Sequence, residues 1–510
     1  MKNGNIKQKL DRYIKGREFP SSLLTVVVIS AVIFINLVIT SLSSVVPLYL
    51  YTPEEDDLSI SSASDMLFER YIDKGIKVTV TFCSYEDAVS NHSTGKFVYQ
   101  TAKEFEKRYP GFINLRYINA ITQLDSEGKS VSDELKYYLD GGNNTINDTS
   151  VIFSTDTSFR VLTDYTGTGY VDFYTLDSSY SITSYNGEEM FASSVLWTLN
   201  EKHGTAYMTV GHGESANGTL FNILTAAGYK VKELNLRKSD VPEDAELLII
   251  SNPISDFERG AVGSTVITEY DRLSSYRSRG GNFMVILDPT AKPLTVLESF
   301  VSEFGISLRK SESGEVMMVK DSDNAITTDG FTLVANYSDA DIAKEMKDII
   351  TLRSGDDDGR VILRNMSALT LTSKAHLEVS PLLVSSSSAV LEAGGETVDR
   401  EGEYTIAALS VYNNDLSDSA RMIVMSDGMM TADDAVNTDG YSNKDFLYSL
   451  FDKFFGKGDM PYGCRSISYN QSTLEDLTMG QARIYAVILI SIPVVLSVIG
   501  VFVLVRRKNR

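Results

Sequence analysis

Two uncharged apolar runs bracket the chain, residues 23–42 (LLTVVVISAVIFINLVITSL) and 484–505 (IYAVILISIPVVLSVIGVFVLV). A run of about 20 such residues matches the roughly 30 Å hydrocarbon core of a bilayer at a rise of 1.5 Å per residue. Each therefore predicts a transmembrane helix, the first drawn over residues 23–45. Between them the pattern changes to short runs. Residues 76–83 (IKVTVTFC) read as a buried strand, 96–109 as a helix with Phe97, Val98, Ala102, Phe105 and Tyr109 on one side, and 112–118 as a second strand. Strand, helix and strand at that spacing predict a βαβ unit, with two further strands at 151–154 and 159–164.

A second and clearer α/β pattern follows. Strands are expected at 206–210, 230–236, 246–251, 282–287 and 421–425, and helices at 188–202, 219–227, 264–279, 294–304 and 443–455. Asn186 followed by Glu189 resembles a capping box opening the first of these helices. Trp197 on that helix is expected in the core or at a domain junction. Gly280-Gly281 and Gly456 stand where glycine closes a helix. Residues 313–400 are less periodic and read as an insertion. The expected organisation is a tail (1–22), the first span, a small α/β domain (60–180), a doubly wound α/β domain (181–458), a linker (459–483), the second span and a tail (506–510).

Charge orients this arrangement. Lys2, Lys7, Lys9, Arg12, Lys15 and Arg17 precede the first span, and Arg506, Arg507, Lys508 and Arg510 follow the second. Short basic tails stay in the cytoplasm, so the cell membrane would be crossed twice with the large middle part outside. The first run exceeds the length of a signal-peptide core and lacks a small-residue cleavage site, so an uncleaved anchor is expected. Ten of the 47 Lys and Arg but two of the 68 Asp and Glu lie in the tails, leaving 37 basic against 66 acidic side chains outside, a net −29. That surface disfavours nucleic acid and anionic headgroups. Cys83 and Cys464 are the only cysteines and His92, His203, His212 and His376 are scattered, which excludes a disulfide scaffold and zinc spacing. No cofactor or metal is expected.

In a doubly wound sheet, ligands bind beyond the carboxyl ends of the strands. Those ends carry Gly211-His212-Gly213-Glu214, Asn252-Pro253, Asp288-Pro289 and Asp427-Gly428. His212, Glu214, Asn252, Asp288 and Asp427 are thus the candidate ligand- or partner-binding residues. Imidazole and carboxylate together suit acid–base work, but Gly-x-Ser-x-Gly, the dinucleotide fingerprint and the P-loop are all absent. No catalytic residue is assigned and an enzyme is not expected.

Six segments then acquire a common meaning: YNGEE (185–189), VGHGE (210–214), GYKVKELNL (228–236), VPEDAELLII (241–250), RGGNFMVILDP (279–289) and RMIVMSD (421–427). With the two terminal spans, their order resembles the GldG family, the gliding-motility-type auxiliary component of ABC transport systems. That resemblance implies a flavodoxin- or glutamine-amidotransferase-like outer fold without the nucleophile. It also implies an ABC permease and a cytoplasmic ATPase as partners. The expected role is then a non-catalytic auxiliary membrane subunit whose outer domain receives or gates substrate or contacts the cell envelope, with cell-envelope glycan a further candidate partner. The alternatives are a membrane-anchored extracellular module that binds or senses a ligand or glycan, and a membrane-anchored hydrolase using His212 and Glu214.

Overall fold

The computed structural model describes residues 58–468 apart from 126–127, 165–168, 177–180, 201, 215–217, 262–264, 355–358, 414–418, 439 and 465. The two expected spans, both tails and residues 469–483 of the linker lie outside the described residues. Among those described, no helix is long and apolar enough to cross a membrane.

The first sheet contains β1 (Val78–Phe82), β2 (Ile113–Tyr117), β3 (Val151–Ser154) and β4 (Phe159–Leu162), in the order β2-β1-β3-β4. β1 and β2 run parallel, while β3 and β4 are added antiparallel. The helix between β1 and β2 makes this the expected βαβ unit. Helix α1 (Ser62–Ile72) precedes the sheet, and α2 (Gly95–Arg108) joins β1 to β2. The spacing that predicts α2 also orients it: Val98, Ala102 and Phe105 are fully buried against Phe82 and Phe153.

Helix α3 (Gly187–Leu199) packs on the same core, where Phe191 stacks on Phe105 at 5.2 Å. Its start differs from expectation. Asn186 makes no capping bond, and its amide instead donates to Thr175 Oγ1 at 2.7 Å. The acidic residues are drawn into tertiary contacts. Glu188 accepts from Ser61 N (2.8 Å), Ser61 Oγ (2.7 Å) and Ser64 Oγ (2.9 Å), while Glu189 accepts from Lys444 Nζ at 2.6 Å and from the Tyr448 hydroxyl. A buried carboxylate needs such donors more than the helix end needs a cap. Trp197, on the last turn, is half-buried and stacks on His203 at 3.8 Å.

Among the described residues the second sheet has 11 strands, nine on one path and two, Ile306–Leu308 and Leu369–Leu371, off it. Its parallel part is β5 (Thr205–Thr209), β6 (Lys230–Leu234), β7 (Ala245–Ser251), β8 (Asn282–Ile286) and a late strand, Ala420–Met425. Before that late strand the chain forms β9 (Thr332–Tyr337), β10 (Val361–Arg364), β11 (Leu377–Val384) and β12 (Thr405–Tyr412), so Ala420–Met425 is β13. The path is β6-β5-β7-β8-β13-β12-β11-β9-β10. Its parallel part follows the doubly wound order 2-1-3-4-5, with the switch in direction between β5 and β7. From β13 onward each neighbour is antiparallel. The region read as an insertion is therefore largely a continuation of the sheet. Its alternating half-buried strands, such as TLVANY, carry weaker apolar runs than strands buried on both faces.

β7 (AELLIIS), β8 (NFMVI) and β13 (ARMIVM) are buried on both faces. Leu247, Ile249, Met284, Ile286, Ile423 and Met425 face a core covered by α4 (Gly218–Ala226) and a C-terminal helix, Asn443–Phe455. Leu248, Ile250, Phe283, Val285, Met422 and Val424 face the opposite core, covered by α5 (Glu269–Ser278) and α6 (Thr295–Glu303). Helix α7 (Asp341–Ser354) lies along the antiparallel part, and Asn443–Phe455 is α8. α5 starts later than expected, where Asp271 Oδ2 accepts from both N (2.8 Å) and Oγ1 (2.7 Å) of Thr268. The two cysteines are buried and unpaired, Cys464 in the first core and Cys83 in a small cluster with Ala120, Leu135 and Ile152.

Candidate functional site

The turn after β5 determines what its residues can do. Gly211 (φ +116°) and Gly213 (φ +79°) both adopt the left-handed region. A Cβ on Gly213 would strike the Ile254 side chain, and one on Gly211 would meet Asn235 Nδ2 at 2.9 Å. Between these two glycines the chain can reverse tightly and send His212 inward, where it is 1% exposed. The His212 carbonyl then accepts from the backbone N–H of Ile254 (2.9 Å) and of Ser255 (3.0 Å), tying this turn to the one after β7.

The imidazole lies between two carboxylates. Nε2 is 3.0 Å from Glu269 Oε2, Nδ1 is 3.4 Å from Glu214 Oε1, and the ring stacks on Phe257 at 4.0 Å. The Nδ1 contact is close enough for charge attraction but is not an aligned hydrogen bond. Glu214 is positioned independently, accepting from His212 N at 2.7 Å and from Thr209 Oγ1 at 3.0 Å. Glu269, in the first turn of α5, also accepts from Glu258 N at 2.9 Å. Burial pulls the His212 imidazole down, but the two carboxylates outweigh it and hold its pKa above the ordinary value. Burial pushes Glu214 up, yet its bonds to His212 and Thr209 prevail and hold it at about 2. The side chains of His212, Glu214 and Glu269 are 0%, 6% and 1% exposed. This arrangement is an enclosed ionic clasp between two loops and a helix start. The imidazole itself is fully covered.

The other three candidates form a second group. Asn252 adopts φ +50° at the end of β7, a conformation asparagine tolerates. Its Nδ2 donates to the Gly428 carbonyl at 2.7 Å, and Gly428 packs against Asp288. Asp288 Oδ1 accepts from Thr290 N (2.8 Å) and Thr290 Oγ1 (2.6 Å), closing its own turn. Asp427, 1% exposed, accepts from Arg364 N and from Met429 N, both at 2.7 Å. Burial raises Asp427 to about 7 despite these two N–H groups. The predicted residues thus do gather at one rim, but in two clusters whose polar groups are mostly spent on the fold.

Sequence reasoning missed Glu269, Phe257, Thr209 and Ser251. Thr209 carried a usable signal, since it flanks the glycine turn five residues before Glu214. Glu269 carried none, because only the fold brings it across 57 residues. Thr209 and Ser251 line a cavity of about 280 Å³ beside Glu214, under the start of α4 and against β5, β6 and β7. Among the described residues, no group of three or more His, Cys, Asp or Glu side chains is placed to hold a metal ion.

No family model matches the sequence, and no curated protein does. Solved structures are similar in part. A ThuA-like protein from Bacteroides uniformis aligns over 51% of this chain and 95% of its own, with 12% identity and a TM-score of 0.31. An exo-β-1,4-mannosidase from Opitutaceae bacterium strain TAV5 aligns over 72% of this chain and 50% of its own, with 8% identity and a TM-score of 0.29. A glutamine amidotransferase from Thermotoga maritima aligns over 50% of this chain and 99% of its own, at 11% identity and a TM-score of 0.27. Similarity at this level carries no argument about activity; the mixed α/β class rests on the strand pairings themselves.

Proposed function

We propose that this chain is a non-catalytic auxiliary membrane subunit of an ABC transport system, with an outer amidotransferase-like domain that receives or gates substrate. The observation that carries the non-catalytic part is the enclosed Glu214–His212–Glu269 clasp. It uses the one imidazole at the strand ends, and an acid–base catalyst must reach the proton it moves. The membrane and transport parts rest on the two terminal apolar runs and on the ordered segments that resemble the GldG family. On this reading an ABC permease packs on the apolar helices, and a separate cytoplasmic ATPase supplies hydrolysis, in keeping with a sequence that has no P-loop.

Affinity purification of the full chain from native membranes should recover a permease and an ATPase in constant ratio. Removing residues 484–510 should abolish that recovery while leaving the outer domain folded. A lone subunit in mild detergent, or a complex that survives the truncation, would overturn the assignment. The second reading, an extracellular ligand-binding module, is favoured by the cavity beside Glu214. The hydrolase reading is opposed by the burial of His212.

A further inference from the structure

The cavity lies where a doubly wound sheet places its ligands, at the carboxyl ends of β5 and β7 where the strand order reverses. At about 280 Å³ it has room for a ligand of a few heavy atoms to amino-acid size. Its walls are apolar, formed by Met208, Val231 and the ring of Phe221, which is 46% exposed on α4. The inner end is polar. Ser251 is 6% exposed, and its hydroxyl has no hydrogen-bond partner among the described residues. Ser251 lines the cavity, so its hydroxyl oxygen offers a hydrogen bond that a ligand atom can take up. Glu214 faces the same space with its carboxylate held by Thr209 and by the His212 backbone.

The charge of the site selects the ligand class. Glu214 and Glu233 line the cavity. Among the described residues that line it the cation is Lys232, which is engaged with Asp244 at 3.2 Å and with the Tyr207 hydroxyl at 3.4 Å. His212 is near but lies behind Glu214, stacked on Phe257 toward the opposite core. We propose that this cavity binds a small primary amine, its ammonium between Ser251 Oγ and Glu214 and its hydrocarbon body between Met208, Val231 and Phe221. An ammonium matches two oxygen acceptors, while the body replaces water on the apolar wall. This inference is separate from the transport assignment and stands with or without a permease partner.

The test is calorimetric titration of the full chain in nanodiscs with n-butylammonium, 1-butanol and butyrate. The expected result is saturable binding of butylammonium, about tenfold or more tighter than butanol, and none of butyrate. Two variants locate the site. Val231→Trp fills the cavity and should abolish binding. Ser251→Ala removes the hydroxyl and should weaken butylammonium about fivefold or more while leaving butanol unchanged. Thermal unfolding of each variant shows whether it is folded, and Ser251→Ala decides the question if Val231→Trp is not. Butyrate binding as tightly as butylammonium would overturn the proposal. So would absence of saturable binding up to about 10 mM, or binding that survives both variants. None of these outcomes bears on co-purification with a permease.

Discussion

Replacing His212 with glutamine would leave Glu214 and Glu269 facing each other across an enclosed space without the positive charge between them. Removing one member of a buried ionic group costs about 3–5 kcal/mol, so His212→Gln should lower the unfolding free energy by that order. The pH dependence follows from two shifts of opposite sense. His212 is raised in the fold, so its contribution is complete below the unfolded value of 6.5 and fades as pH rises through the folded value. Glu214 is depressed, so its contribution is complete above 4.5 and is lost as pH falls through about 2. The stability difference between the native chain and His212→Gln should therefore be greatest between pH 4.5 and 6.5 and smaller on either side. Urea titrations across that range measure it, and a flat difference would refute the clasp. Asp427 acts in the same sense as His212. It is raised from 3.8 to about 7, so its contribution is complete below 3.8 and is lost as pH rises from there to about 7.

At the scale of elements, the edge of the large sheet shows how side chains replace a missing strand. Among the described residues β10 pairs with β9 on one side only. On the other side Asn443 accepts from Ile362 N and donates to Ile362 O, both at 2.9 Å, and Asp427 accepts from Arg364 N at 2.7 Å. Asn443 opens α8 and is fully buried, so this helix start closes an edge that would otherwise be open to pairing. Asn443→Ala should cost about 2–3 kcal/mol by leaving a buried donor and acceptor unpaired. Hydrogen exchange at the Ile362 amide should accelerate markedly, whereas protection in β8 should not change. α3 plays a comparable joining role, packing Phe191 and Val195 on the first core while Glu189 reaches Lys444 and Tyr448 of α8. Its predicted capping box failed because Asn186 and both glutamates serve such contacts.

At the scale of the whole molecule, two buried thiols and the half-buried Trp197 report on unfolding around the first core, and the helix signal reports on the rest. Burial raises the Cys83 thiol to about 12 and pushes Cys464 well up, so neither should react with a thiol reagent in the native state. Trp197 sits on α3, the helix shared between the first core and α8. Thiol labelling and Trp197 fluorescence should therefore change in one transition with urea, together with loss of helix signal. Glu189→Ala should separate both from the helix signal, with labelling and the Trp197 change appearing before the large sheet melts.

Some of this molecule was legible because the relevant signals are local. The period-2 and period-3.6 patterns located β3 and α8 to the residue and β5, β7, β8 and β13 to within one or two. Uninterrupted apolar runs identified strands buried on both faces, because a strand covered by helices on each side has no polar face to show. The glycine turn around His212 was visible for the same local reason. Partners were not visible. The antiparallel half of the sheet, the choice of Glu269 for His212, the reach of Glu188 and Glu189 away from their helix end, and the unpartnered hydroxyl of Ser251 all depend on residues distant in sequence. Sequence by itself determined the parallel strands, the helices that flank them and the apolar runs, since hydrophobic periodicity and turn chemistry act over a few residues. Only the tertiary structure decided which polar side chains are spent on the fold and which are left facing a cavity, because burial and hydrogen-bond satisfaction are settled by chain packing.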